Sequence, residues 1–174
     1  MAINLCQEPG NSELREQRTG LHMYQLNKPQ KNEYPLLLEL WESSVKATHH
    51  FLQPGDINVF KSFIRDKEVF DQVNLLCARD ANNTILGFMG TSGNSLEMLF
   101  ISAASLRRGI GQLLLQHAIH KLGITRVDVN EQNKQAIRFY ERFGFKTISR
   151  SELDGTGKPY PILHMELNAT GNSL

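Results

Sequence analysis

The sequence predicts an α/β fold with helices packed on a largely antiparallel sheet, and three stretches predict it. Val73–Cys77 and Thr84–Gly90 are apolar runs joined by Asp80–Ala81–Asn82–Asn83, the pattern of a hairpin. Leu96–Ile101 is a short apolar strand that leads into a glycine-containing turn and a helix from Gly109 to about Leu122. Ile124–Asn130 alternates as a strand and precedes a further helix and two further strands. Hairpin-joined strands followed by strands separated by helices is the order of a mixed α/β layer.

The elements follow in order. Met1–Gly20 carries Pro9, Gly10, Asn11 and Ser12 among several charges, with no sustained period, and is expected as a flexible extension. Leu21–Leu26 alternates as a first strand, and Lys28–Asn32 is a turn. Tyr34 to about Lys46 is a helix, because Leu37, Leu40, Trp41, Ser44 and Val45 share one face and Pro35 suits a first turn. Pro54–Gly55 breaks the chain, and Asp56 is placed to cap a second helix that runs through Val59, Phe60, Phe63 and Ile64 to about Asp66. Gly87, inside a strand, marks a bend or a close approach. Ser92–Gly93–Asn94 turns the chain into the Leu96 strand. Asn133 stands where it caps the helix Lys134–Tyr140. Phe145–Arg150 and Pro161–Asn168 are the last two strands, joined by a loop that contains Asp154–Pro159. One domain, residues 21–168, is therefore expected between an extension at 1–20 and a tail at 169–174.

Composition narrows the class. The 174 residues suffice for one domain with a full core, and a net charge of +1 gives no broad basic face, so no nucleic-acid partner is expected. Cys6 and Cys77 lie far apart and imply neither a disulfide framework nor a metal site; Cys77 reads as core. Met1–Gly20 lacks the apolar run of a signal peptide and no stretch approaches a membrane span, so no membrane association is expected and the cytoplasm is the expected compartment.

The chemistry begins at Leu106–Gln112. A helix start carries unpaired N–H groups and the positive end of the helix dipole. Gly109 and Gly111 let a ligand approach the backbone, and Arg107 and Arg108 add positive charge. This is an anion site suited to a phosphate or pyrophosphate. The Gly-Lys-Ser/Thr ending of a P-loop is absent, as are the three glycines of a dinucleotide fingerprint.

Two motifs resemble the GNAT superfamily of acyl-CoA-dependent N-acetyltransferases. They are Arg107-Arg108-Gly109-Ile110-Gly111 and Asn133-x-x-Ala136-x-x-Phe139-Tyr140-x-x-x-Gly144-Phe145, in the order and at the separation that family shows. The motifs cover Leu96 to Phe145, and compatible element order extends to Leu21–Leu167. The resemblance implies a mixed, largely antiparallel central sheet splayed between its fourth and fifth strands, with helices on both faces. Acyl-CoA would enter between the Leu96–Ile101 and Ile124–Asn130 strands. Leu106, Arg107, Arg108, Gly109, Ile110, Gly111 and Gln112 then form the pyrophosphate-binding turn. Leu99, Phe100 and Ile101 meet the pantetheine and the acyl carbonyl through their backbone, and Asn133 contacts the cofactor arm as well as capping its helix. Leu106 departs from the Arg or Gln usual in the family, although backbone donation needs no particular side chain there. Acetyl-CoA is the implied co-substrate, and no metal is implied.

The same resemblance assigns chemistry to side chains. Tyr140 matches the general acid that protonates the leaving thiolate; its other reading is an aromatic core stripe with Phe139 and Phe143, two residues expected in the core. Glu97 resembles the strand glutamate that several branches use as a base, since an acid in apolar surroundings has its pKa raised; its other reading is a solvent-facing strand residue. One of His49 and His50 is expected to face the acceptor. The phrases Ser44–Leu52 and Pro159–His164 resemble a bacterial branch of the family, in which Tyr160 would close the acceptor cleft; His164 reads as a satisfied core histidine. The implied activity is transfer of an acetyl group to a primary amine of a small molecule or peptide, by direct attack in a ternary complex. The alternative from another class is a non-catalytic acyl-CoA-binding sensor or interaction module, against which the pairing of Tyr140 with Glu97 speaks. A homodimer through the last strands is compatible with the fold by analogy.

Overall fold

The computed structural model describes residues 24–167 of the chain. The expected extension, the tail, Asn168, Cys6 and the Leu21–Met23 part of the first strand lie outside those residues. The described elements are β1 (Gln25–Asn27), α1 (Tyr34–Thr48), α2 (Asp56–Asp66), β2 (Asn74–Arg79), β3 (Ile85–Ser92), β4 (Ser95–Ile101), α3 (Ile110–Leu122), β5 (Arg126–Asn130), α4 (Lys134–Arg142), β6 (Phe145–Ser151) and β7 (Ile162–Leu167), with short 3-10 turns at Lys31–Glu33, Val69–Asp71 and Ala103–Ser105. These strands form one sheet in the order β1-β2-β3-β4-β5-β7-β6. Neighbours run antiparallel except β4 and β5, which are parallel.

Each face of the sheet holds its own core. On one face, α3 contributes Ile110, Leu114, Leu115 and Ala118, and α4 contributes Tyr140; they pack against Leu96, Val127, Val129 and Met165. On the other, Leu37, Leu40, Trp41 and Val45 of α1 and Ile64 of α2 pack against Leu75, Cys77, Phe88 and Met98. Burial of this second set includes Cys77, whose thiol is pushed up to about 12 by loss of water, as a core cysteine requires.

The parallel pair is short. Only Ser95↔Arg126 and Leu96↔Val127 pair, so β4 and β5 part beyond them. The cause lies one residue further on. Gly90 opposes Met98 and Thr91 opposes Leu96, which leaves Glu97 as the extra residue of a β-bulge. The bulge changes the parity of the strand. Leu96 faces the α3–α4 core but Met98, two residues later, faces the α1–α2 core. Past it, Leu99 and Ile101 pack toward α3–α4 and Phe100 toward α1. Gly87 is the predicted close approach: a Cβ there would lie 2.6 Å from Ile101 Cδ1 and 3.0 Å from the Phe100 carbonyl oxygen.

One local expectation is corrected. Asp56 does not cap α2; Gly55 does, with a left-handed φ of 89°, and Asp56 is the first helical residue. Its carboxylate is engaged elsewhere, by Lys158 Nζ at 2.7 Å, by the Tyr160 hydroxyl, and by the Gln53 amide at 3.3 Å. These bonds fasten the β6–β7 loop to the start of α2.

Candidate active site

A cavity of about 330 Å³ opens where β4 leaves β5. Its wall comes from four places: Ser44, Thr48 and His49 at the end of α1; Leu99, Phe100 and Ile101 of β4; Ser105, Leu106, Arg107, Gly109, Ile110, Gly111 and Gln112 at the entry to α3; and Asn133, Gln135, Ala136, Phe139, Tyr140 and Arg142 around α4. Because α1 lies on one face of the sheet and α3 and α4 on the other, a cavity lined by all three passes through the sheet.

The turn into α3 is shaped by two left-handed residues, Arg107 at φ 62° and Gly109 at φ 79°. The Leu113 amide is the first to bond within the helix, to the Gly109 carbonyl at 2.9 Å. The amides of Ile110, Gly111 and Gln112 therefore have no helical acceptor, and the positive end of the dipole coincides with them. Arg107 and Leu106 belong to the wall, whereas Arg108 is exposed and lies off it.

On β4 the backbone sorts the predicted contacts. The Ser102 amide donates to Leu86 O at 2.9 Å, and Phe100 stands opposite Phe88 in the β3 ladder. Alternation along a strand then turns the Phe100 amide toward β3 and those of Leu99 and Ile101 toward the edge that β5 has left. The expectation of a backbone contact at Phe100 is corrected: its amide belongs to the ladder, and its ring fills the wall beside Trp41 and Phe88.

From α4, Asn133 has both predicted positions. Its side chain accepts the Ala136 amide at 3.0 Å, which caps the helix, and it lines the cavity. Tyr140 is buried on the α4 face and reaches the same wall. Among the described residues its hydroxyl makes no side-chain hydrogen bond and is not a buried unpaired oxygen, so it opens onto the cavity, and burial of the residue raises its pKa well above the ordinary tyrosine value. It is a neutral acid facing the cavity. Phe139 lies on the wall as well as in the aromatic stripe, with its ring 5.2 Å from that of Phe143.

On the α1 side, His49 lines the cavity and His50 is exposed and does not. Thr48 Oγ1 donates its single proton to the Ser44 carbonyl at 2.8 Å, so the 2.7 Å contact between Thr48 Oγ1 and His49 Nδ1 requires Nδ1–H as donor. That tautomer leaves Nε2 as an acceptor. Burial first, and then the neighbouring His50, push the His49 pKa down to about 4, so it is neutral at pH 7.

Three expectations on this side change. Glu97 is exposed and off the cavity wall rather than set among apolar side chains, because the bulge ejects it from the alternation of β4. Tyr160 does not line the cleft; it is a buried strut whose oxygen meets Asp56 and accepts the Gln53 amide at 2.9 Å, with its ring between Phe51 and Phe60. His164 is satisfied as expected, by Ser151 and Asp128, but it is half-buried on the sheet surface instead of in the core. Sequence reasoning missed Ser44 and Thr48 as wall residues. Their signal was two hydroxyls one helical turn apart on an otherwise apolar face.

Comparison with known proteins gives concordant matches. The family model described as an acetyltransferase (GNAT) domain matches residues 44–168. Peptidyl-lysine N-acetyltransferase YjaB of Salmonella typhimurium is 34% identical over 145 residues, which is 82% of this chain and 97% of that protein. The solution structure of apo YjaB from Escherichia coli superposes with a TM-score of 0.75 at 33% identity, covering 83% of this chain and 97% of that one. The PaiA N-acetyltransferase of Thermoplasma acidophilum, crystallised with coenzyme A, shares the fold at a TM-score of 0.65 and 24% identity over 83% of this chain and 99% of its own.

Proposed function

The chain belongs to the GNAT acetyltransferase family and is an N-acetyltransferase with an acyl-CoA co-substrate; on that premise we propose that the acyl group is acetyl and the acceptor is the side-chain amine of a lysine in a peptide or protein. The observation that carries the reading is the cavity through the sheet: helix-start amides stand on one face and the end of α1 on the other. A bulky anionic donor and an amine can therefore meet at the splay from opposite faces. Lysine is supported by the peptidyl-lysine activity named for YjaB, a relative similar over nearly its whole length.

Each residue has a role in this reading. The Ile110, Gly111 and Gln112 amides, with Arg107 beside them, hold the pyrophosphate. The Leu99 and Ile101 amides bond the pantetheine as an added strand would and polarise the thioester carbonyl. Glu97, at the bulge where the strands part, takes the proton of the acceptor ammonium through water. With a pKa near 4, His49 is a weak base, and it serves instead as a neutral acceptor on the cavity wall. As the amine nitrogen bonds to the carbonyl carbon and the carbon–sulfur bond breaks, Tyr140 gives its proton to the departing sulfur, and the surplus proton of the new amide nitrogen returns to the tyrosinate.

A thiol-release screen of acetyl-CoA against lysine peptides, polyamines and aminoglycosides, with the product weighed by mass spectrometry, tests the reading. Release of one thiol per acetyl group gained on lysine supports it. Turnover confined to another amine class overturns the acceptor, and acetyl-CoA binding without turnover on any amine turns the assignment to the sensor alternative.

A further inference from the structure

Strands β5, β7 and β6 carry a row of bonded side chains that acyl transfer as described above does not use. Ser151 Oγ lies 2.7 Å from His164 Nε2, and His164 Nδ1 lies 2.7 Å from Asp128 Oδ1. Asp128 and His164 stand directly opposite each other in the β5–β7 ladder. Their neighbours Val127, Val129 and Met165 are buried against α3 and α4, so alternation places Asp128 and His164 on the other face, the one that α1 and α2 cover. Among the described residues, the α1–α2 core takes its sheet partners from β2, β3 and β4 and none from β5, β6 or β7. The row therefore lies on the half of that face left uncovered by these helices.

Its proton order follows from the donor inventory. The Asp128 carboxylate only accepts, so His164 Nδ1–H donates to it, and the Ser151 hydroxyl holds Nε2 on the far side of the ring. One carboxylate oxygen of Asp128 is thus fixed on the β7 side, and the other has no partner among the described residues. On the opposite side of β5 lies the opening. Leu96↔Val127 is the last β4–β5 pair, which makes Asp128 the first residue of β5 beyond it, across the gap from Glu97. The thioester reaches this gap from the α3–α4 face, so the amine arrives on the face that bears Asp128. A hydrolytic Ser-His-Asp triad has the opposite polarity, with its Asp buried. Here the Asp128 side chain is 64% exposed and that of His164 33%, so the carboxylate is the end that meets a ligand.

We propose that Asp128, held by His164 and Ser151, binds the ammonium group of the acceptor lysine at the mouth of the β4–β5 opening. This rests on the lysine reading above. Asp128 is the binding residue, and His164 and Ser151 position it.

Steady-state kinetics with acetyl-CoA and a lysine peptide test the assignment. Asp128→Asn is expected to raise the peptide KM roughly 10- to 100-fold, the loss of one charge-assisted hydrogen bond, while acetyl-CoA affinity stays within about twofold and kcat within about threefold. Asp128→Glu restores most of the loss. His164→Ala raises the peptide KM in the same direction, and His164→Gln, which keeps a donor for the carboxylate, recovers it; this pair carries the test if Asp128→Asn does not fold. An unchanged peptide KM in Asp128→Asn, beside a wild type that acetylates the peptide, overturns this assignment and leaves the lysine reading intact. A wild type that acetylates only other amines overturns both. Parallel loss of acetyl-CoA affinity, kcat and peptide binding marks a structural role and also overturns it.

Discussion

Replacing Tyr140 by Phe removes one oxygen atom from the cavity wall and nothing else. Among the described residues that oxygen makes no hydrogen bond, so its loss leaves no orphaned partner in the protein. The ring keeps its place against Phe139 and Phe145, at centroid distances of 5.2 and 5.8 Å. The stability change is therefore expected within about 1 kcal/mol, which for a domain of this size is a Tm shift of roughly 2–4 °C at most. The effect on turnover is far larger, because a positioned general acid contributes roughly 10²- to 10⁴-fold. A thiol-release assay should show kcat reduced by about that factor, with calorimetric acetyl-CoA affinity within about threefold. The acid must also be protonated in use. Burial raises the Tyr140 pKa above its ordinary 10.0, so no loss of kcat from its ionisation is expected below pH 10. A kcat within about threefold of wild type would refute the assignment, as would a fall in acetyl-CoA affinity matching the fall in kcat.

Other perturbations have definite signs. Gly87→Ala forces a Cβ to 3.0 Å from a backbone oxygen of β4, so a loss of about 1–3 kcal/mol is expected in urea unfolding, together with weaker acetyl-CoA binding as the Ile101 edge shifts. Asp56→Ala strands the Lys158 ammonium and the Tyr160 hydroxyl, and should cost about 2 kcal/mol, read as a Tm drop of roughly 4–8 °C. The Lys158 hydrogen bond first, then that of Tyr160, lower the Asp56 pKa; its stabilising contribution is present above the ordinary 3.8 and is lost as pH falls through the lower folded value. His49 gives a second acid-side effect. Its folded pKa near 4 lies below the ordinary 6.5, so the unfolded chain takes up the proton first and stability falls as pH drops from 6.5 toward 4. In His49→Gln that decline, measured as Tm at pH 7 and pH 4.5, should be shallower than in wild type; an equal decline would contradict burial of the imidazole.

The fold was legible in the sequence wherever local chemistry determines it. The Asp80–Asn83 turn, the periodic face of α1 and the glycine turn into α3 are each set by residues within one element, and the helices and strands fall within a few residues of expectation. What depends on register was not legible. The bulge at Glu97 has no mark in Leu96–Glu97–Met98, which reads as simple alternation; only the opposing Gly90 and Thr91 reveal the extra residue. The exposure of Glu97 and the opposite destinations of Leu96 and Met98 follow from it. The roles of Asp56 and Tyr160 are hidden for a related reason. A helix-start aspartate looks like a cap, and its partners Lys158 and Tyr160 stand about a hundred residues away in the chain. The Asp128–His164–Ser151 row is likewise assembled across three strands and has no local signature.

The central claim is that the cavity through the β4–β5 splay holds the acyl-CoA, with backbone amides as its main contacts. A titration of the isotope-labelled protein with acetyl-CoA, followed by amide NMR, tests it most directly. The account predicts saturable binding of one molecule per chain, with the largest amide shifts at Leu99, Ile101 and Arg107–Gln112, and smaller ones at Asn133. No saturable shift, or shifts confined to residues away from β4 and the start of α3, would contradict it.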